Sequence, residues 1–354
     1  MIIFAIILFL LIIIAPLFRK KWKLAQITFY KTNNSKSYIW LVSIMLMIFL
    51  GLRGLSVGID TNAYYSFFED SKHLNLIDIF DVSVEQGYWL FQFIIGRVFG
   101  DFQFLLIITA IIYVGIVSYN IYRYSVNPMF SYILFIIFGF YSFGMSATRQ
   151  TLAMAIVMIA YNFIVDKKFI KFLIVTLIAA SFHISAMIFL PAYLFNYLKI
   201  SKKTIISLLG FGLLLFFFDD QIQVLMNQYA RLEYSQSETG GFRLYLLLLS
   251  TIILGLIYLN PFVKQNMNNA FLLYMVLSSV IIMPLVMWNP AVLRLYYYYY
   301  YVFMILYVPN ILNVIKEKEI RFALILIFLF VGMIRFFGTN IYVNELDRYI
   351  FFWE

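Results

Sequence analysis

Apolar residues run along this chain in long unbroken stretches, not in the alternation of a half-exposed strand or the narrow stripe of a surface helix. A helix that crosses a bilayer needs about 20 largely apolar residues, because each rises about 1.5 Å and every backbone amide must be paired inside hydrocarbon. Stretches of this kind, some slightly short, cover Met1 to Phe18, Tyr38 to Leu52, Phe102 to Tyr122, Phe130 to Ser146 and Gln150 to Val165. They continue at Thr204 to Phe218, Arg243 to Leu259, Ala270 to Trp288, Arg294 to Asn313 and Phe322 to Gly338. The first has no basic leader and is followed by Arg19, Lys20, Lys21 and Lys23, so it is expected to stay in the membrane with its N-terminus outside.

Phe169 to Leu198 is longer, with cations at both ends (Lys167, Lys168, Lys171 and Lys199, Lys202, Lys203) and His183 in the middle. One straight helix would place those cations on opposite faces. A turn near Phe182 to Ile184 keeps them on one face and leaves two arms of about 21 Å each, short of a hydrocarbon layer of about 30 Å. With the turn, one face collects 17 Lys and Arg against three acidic residues, and the other holds nine against 14. Without it the basic residues divide 15 to 11. The positive-inside rule therefore selects the turn. The expected fold is all-α, a polytopic membrane protein of about twelve membrane segments, including a short hairpin around His183. Both termini lie outside, and residues 1–354 form a single domain with outer loops at 53–101 and 219–242. Within the first loop Tyr88 to Val98 is apolar but too short to span, which suits the interface.

Composition agrees. Of 354 residues 64% are apolar and 12% charged, against roughly 45–50% and about 25% in soluble domains. A water-soluble enzyme is excluded. With no Cys and two His, disulfides, a thiol nucleophile and a multi-histidine metal site are excluded too, and no metal or cofactor is expected. The formal charge of +9 is accounted for by the cytoplasmic face, so nucleic acid is not an expected partner.

The cations also differ in kind. Eight of the nine outer ones are Arg (53, 97, 149, 231, 243, 294, 335, 348), whereas 14 of the 17 inner ones are Lys. Charge balance does not distinguish the two side chains, but a planar guanidinium offers paired donors that fit phosphate or carboxylate oxygens. The outer face is thus suited to an anion, although arginines also tolerate the interface for their snorkelling stems alone.

Four outer clusters concentrate the chemistry. The first runs from Arg53 through Gly54 and Gly58 to Asp60, Thr61 and Tyr64. The second, Ser146 to Gln150, places Arg149 at a helix start, where the macrodipole also favours anions. The third, Ser181 to Ala186, carries His183 and Ser185; the fourth runs from Asn289 to Arg294 and Tyr296, and Arg335, near the outer end of the last apolar stretch, is expected to join it. A lone histidine between apolar arms is more often a packed residue than a catalyst. The tyrosines at 296–301 read as a boundary belt.

The ordered set R-x4-G-x-D-T-x2-Y (Arg53, Gly58, Asp60, Thr61, Tyr64), then RQ (Arg149, Gln150), K-K-x2-K and A-x2-F-H-x-S-A (Ala179, Phe182, His183, Ser185, Ala186) resembles the EpsG-like exopolysaccharide polymerases. These are relatives of the Wzy O-antigen and capsule polymerases. The resemblance implies a GT-C-like membrane glycosyltransferase at the outer face of the bacterial plasma membrane. Its donor and acceptor would be oligosaccharide repeat units on undecaprenyl diphosphate, joined commonly with inversion and without metal. A flippase and a chain-length regulator of the same pathway are the implied protein partners. Displacement at an anomeric carbon needs a base for the acceptor and a stabiliser for the departing charge. Arg149 and Arg294 are assigned to the diphosphate, with Arg53 or Arg335 assisting. His183 is the first candidate for the base and Asp60 the second, the latter with a structural alternative as a salt-bridge partner of Arg53. Gln150, Thr61, Tyr64, Ser185 and Tyr296 support them. A lipid-linked oligosaccharide flippase or a membrane O-acyltransferase acting on glycans are the competing functions.

Overall fold

The computed structural model describes residues 2–18, 35–81, 85–214, 218, 242–288, 293–338 and 349–354. The expected outer loop at 219–242, Arg231, Arg348, the Asn289–Pro290 pair and the basic cluster from Arg19 to Lys31 lie outside them, apart from Phe242. Among the described residues the fold is helical, and the single β-type contact is an isolated antiparallel bridge between Arg53 and Phe351.

In chain order the helices are α1 (Ile2–Ile14), α2 (Ser35–Gly51), α3 (Thr61–His73), α4 (Leu76–Asp81), α5 (Gln86–Phe99), α6 (Phe102–Tyr124), α7 (Pro128–Ile137), α8 (Phe140–Ser146) and α9 (Thr148–Val165). Then come α10 (Phe169–Phe182), a 3-10 segment (Ile184–Tyr197), α11 (Lys202–Leu214), α12 (Phe242–Ile257), α13 (Leu259–Gln265), α14 (Asn268–Trp288), α15 (Leu293–Val314) and α16 (Lys318–Gly338). Every apolar stretch singled out in the sequence is mainly helical where it is described, with breaks inside some of them. Three helices are long and apolar enough to cross a bilayer, Phe102–Tyr124, Thr148–Val165 and Lys318–Phe337; two bent pairs bring the number to five, and other apolar helices are shorter.

Local sequence explains the boundaries. Asp101 accepts the Gln103 amide at 2.8 Å and starts α6; Asn127 accepts the Phe130 amide at 3.1 Å, with Pro128 in the first turn of α7. The stretch from Phe130 to Ser146, read as one straight segment, is instead two helices meeting at 50°. Gly139 takes the left-handed conformation there (φ 79°), and Arg335 Nε donates to the Phe138 carbonyl at 3.2 Å, pairing a backbone group that the break leaves without a helical partner. The turn expected near Phe182 to Ile184 is present. α10 stops at Phe182, His183 is extended, and the 3-10 segment packs back along α10.

α15 is central to the bundle, touching α6, α7, α9, α12, α13, α14, α16 and the 3-10 segment. Its tyrosine run is not a boundary belt: Tyr296, Tyr297, Tyr298, Tyr299 and Tyr300 are all buried. Each ring goes to a different neighbour. Tyr297 meets Phe143 on α8, Tyr299 meets Phe189 in the 3-10 segment, and Tyr300 meets Phe140. At the end of the bundle far from these rings, buried amides stitch four helices. Asn162 Oδ1 accepts from Arg123 (2.8 Å) and Tyr124 (2.7 Å), while Asn310 donates to the Tyr124 carbonyl (2.8 Å) and to Asn269 (2.9 Å).

Candidate active site

The loop after α2 folds onto one atom, the carbonyl oxygen of Met145 at the end of α8. Arg53 Nη2 and Thr61 Oγ1 each donate to it at 3.3 Å. Gly58 has φ 102°, and a Cβ there would stand 2.1 Å from the same oxygen, so only glycine fits. Ile59 adds an amide hydrogen bond to Ser146 Oγ at 3.2 Å. Arg53, Gly58 and Thr61 therefore clamp the loop to the α8–α9 junction. Arg53 is fully buried and also donates to the Leu50 carbonyl. It does not face Asp60 as an ion-pair partner; its guanidinium is occupied by backbone carbonyls.

The clamp leaves Asp60 exposed at the start of α3, where its side chain caps no amide. Although the residue reaches the surface, partial desolvation by the protein around it raises its carboxyl above the usual range, opposed by the charges of Arg149 and Arg294. Those two arginines come from the first turns of α9 and α15. Gln150 Nε2 ties the turns together by donating to the Arg294 carbonyl at 2.8 Å. Ala147 gives α9 no side-chain cap, so its first amides carry the helix's partial positive charge into the same place. The Arg149 guanidinium lies 5.7 Å from the ring centres of Tyr64 and Phe67 and also hydrogen-bonds Tyr64.

Glu85 completes the group. Its carboxylate accepts from Arg149 Nη1 and from the Ile184 amide, and its other oxygen stands 3.7 Å from His183 Nδ1. Burial raises this carboxyl too, against the pull of Arg149 and Arg294. Gly87 permits the approach, because a Cβ there would lie 2.1 Å from Ser181 Oγ. His183 sits in the turn, outside both helical arms. Burial, then Arg294 and Arg149, hold its imidazole below the ordinary histidine range, so it is neutral at neutral pH. Ser185 Oγ lies 2.7 Å from Nδ1 and donates to the buried Tyr298 hydroxyl at 3.1 Å. A carboxylate and a hydroxyl whose proton is engaged elsewhere both favour a proton on Nδ1. The Ser185 amide contact with Nδ1, at 3.4 Å, is nearer than the carboxylate but longer than the 2.7 Å hydroxyl contact; with the hydroxyl accepting from Nδ1, the basic lone pair is on Nε2.

Asp60, Tyr64, Arg149, Gln150, His183, Ser185 and Arg294 thus converge at one end of the bundle. Thr61 and Arg53 stand behind them. Arg335 lies apart, at the break between α7 and α8 and 5.9 Å from the ring centre of Tyr300, and Tyr296 stacks on Tyr300 inside the core. This end carries the ordered motifs other than K-K-x2-K on a helical membrane-type scaffold, and a model of the EpsG family matches residues 36–353. The chain belongs to the EpsG family. Membership gives it an exopolysaccharide-polymerase-like membrane function, of glycosyltransferase type. No curated protein and no solved structure gives a significant match to this EpsG-family chain. The residue that sequence reasoning missed in this EpsG-family site is Glu85. It has no motif of its own, and its partners Arg149 and His183 are far away in sequence.

Proposed function

We propose that this EpsG-family chain joins oligosaccharide repeat units carried on undecaprenyl diphosphate, at the outer face of the bacterial plasma membrane, on a GT-C-like scaffold of about twelve membrane segments. The observation that carries the proposal is the meeting of two arginines, a helix start and a neutral histidine at a single end of the bundle. The acceptor sugar hydroxyl attacks the anomeric carbon of the donor and gives its proton to His183 Nε2. The bond from that carbon to the diphosphate oxygen breaks with inversion, and Arg149 and Arg294 hold the charge that develops on the departing lipid diphosphate. Asp60, exposed between the arginines and the turn, orients the acceptor and is the alternative base. Arg53 acts through the loop clamp, and Arg335 through the helix break.

The test is reconstitution of the purified protein with a synthetic lipid-diphosphate repeat unit. A ladder of polymers on a gel supports the proposal, and its absence in a folded preparation overturns it. In cells His183→Ala should shorten the polymer while single units still reach the outer face. Accumulation of single units on the cytoplasmic side would establish the flippase function instead.

A further inference from the structure

Glu85 is held in an unfavourable backbone conformation. Its φ of 60° and ψ of 36° are left-handed, a region that sterics disfavour for a non-glycine residue, and such strain persists where surrounding contacts impose it. Here they do. The carboxylate is 8% exposed, its two oxygens face different cationic or protonatable groups, and the close packing of Gly87 on Ser181 fixes the distance between the loop and the His183 turn.

We propose that Glu85 is the positioning residue that joins the anion-binding half of the site to its base, one oxygen holding Arg149 and the other, 3.7 Å from His183 Nδ1, drawing the imidazole proton to that nitrogen by its charge. The assignment rests on the polymerase reaction proposed above and deepens it. Arg149 is oriented on one side of the carboxylate, and Ser185 and Tyr298 close the imidazole's other contacts. Neutralising the carboxylate leaves only the Ser185 hydroxyl to oppose the Ser185 amide contact with Nδ1 and releases Arg149 from its anchor. The imidazole then shifts toward the tautomer with its proton on Nε2, which cannot take a proton from the acceptor.

Two readouts on Glu85→Gln test this. The first needs no polymerisation. The chain has two histidines, and His73 is exposed on α3, so nitrogen NMR of histidine-labelled protein resolves His183 against an internal control. The expected wild-type signal is the Nδ1-protonated tautomer, with a move toward Nε2 protonation in E85Q and none in His73. The second is turnover in the reconstituted assay, expected to fall about 100-fold, within the range a general base contributes; Glu85→Asp, which keeps the charge, should recover part of both. An unchanged His183 tautomer in folded E85Q, or wild-type turnover in it, overturns the proposal. Should E85Q not fold, Glu85→Asp carries the test alone: its withdrawn carboxylate should give mixed tautomers and reduced turnover, and wild-type values for both would overturn the assignment. A wild-type protein that makes no ladder but shows the tautomer shift in E85Q refutes the polymerase proposal and leaves the Glu85–His183 link standing.

Discussion

In the proposed reaction Arg149 and Arg294 grip the diphosphate as flat donor forks, and lysine offers a point charge without that fork. Arg149→Lys and Arg294→Lys are each expected to lower polymer synthesis by about 10² or more, the typical loss when one transition-state donor is removed. Protein abundance should be unchanged, as measured by immunoblot against polymer yield. Acid should also act through the carboxylates. Burial raises both Asp60 and Glu85, so as the pH falls they take up protons sooner than ordinary carboxylates near 4. The neutral imidazole, held low, does not gain a proton in that window. Activity is therefore expected to fade on the acid side above pH 4, and Asp60→Asn should move that limb. Much of this was legible in sequence, because Arg149, Asp60 and His183 stand beside glycines, helix starts or turns that advertise exposed polar groups. Glu85 was not, since one acid in an acidic loop gains meaning only from a partner 64 residues away.

At the level of elements, the apolar runs gave helices where they predicted them, because pairing every amide leaves a long apolar stretch little alternative. Bends were harder to see. Gly139 lies in a run as apolar as any straight one, and the compensating Arg335 arrives from α16. The tyrosines of α15 show the same difficulty, since composition alone does not tell a belt from a buried hub. The loop clamp provides a sharp test: Gly58→Ala forces a methyl toward the Met145 oxygen and is expected to lower the melting temperature and abolish activity together. A second test concerns residues 349–354, which return to this clamp. Phe352 donates its amide to Leu52 (3.1 Å), Gly54 donates to Ile350 (2.9 Å), and Tyr349 donates its hydroxyl to Phe49 (2.7 Å). Deleting these six residues should loosen the Arg53 turn, reducing polymer yield more than it reduces expression.

Across the whole molecule, the division of cations has a structural counterpart. Arg53, Arg149 and Arg294 gather at the end that bears the arginine, aspartate and histidine motifs, and the opposite end carries Arg123, Asp166 and the lysines of K-K-x2-K. The proposed orientation makes the first end extracellular. Because the chain contains no cysteine, single cysteines report the orientation directly. Ser56→Cys should react with a membrane-impermeant thiol reagent added to intact cells, and Lys168→Cys only after the cells are opened; the reverse pattern would invert the molecule. The central placement of α15 bears on how such a protein tolerates change in evolution. Each successive helical residue turns about 100° around the axis, and the consecutive side chains Tyr297, Tyr298 and Tyr299 dock on three different partners. Gaining or losing one codon in that stretch would rotate every later contact onto the wrong neighbour at once, so length is under tighter constraint there than the identity of any one ring.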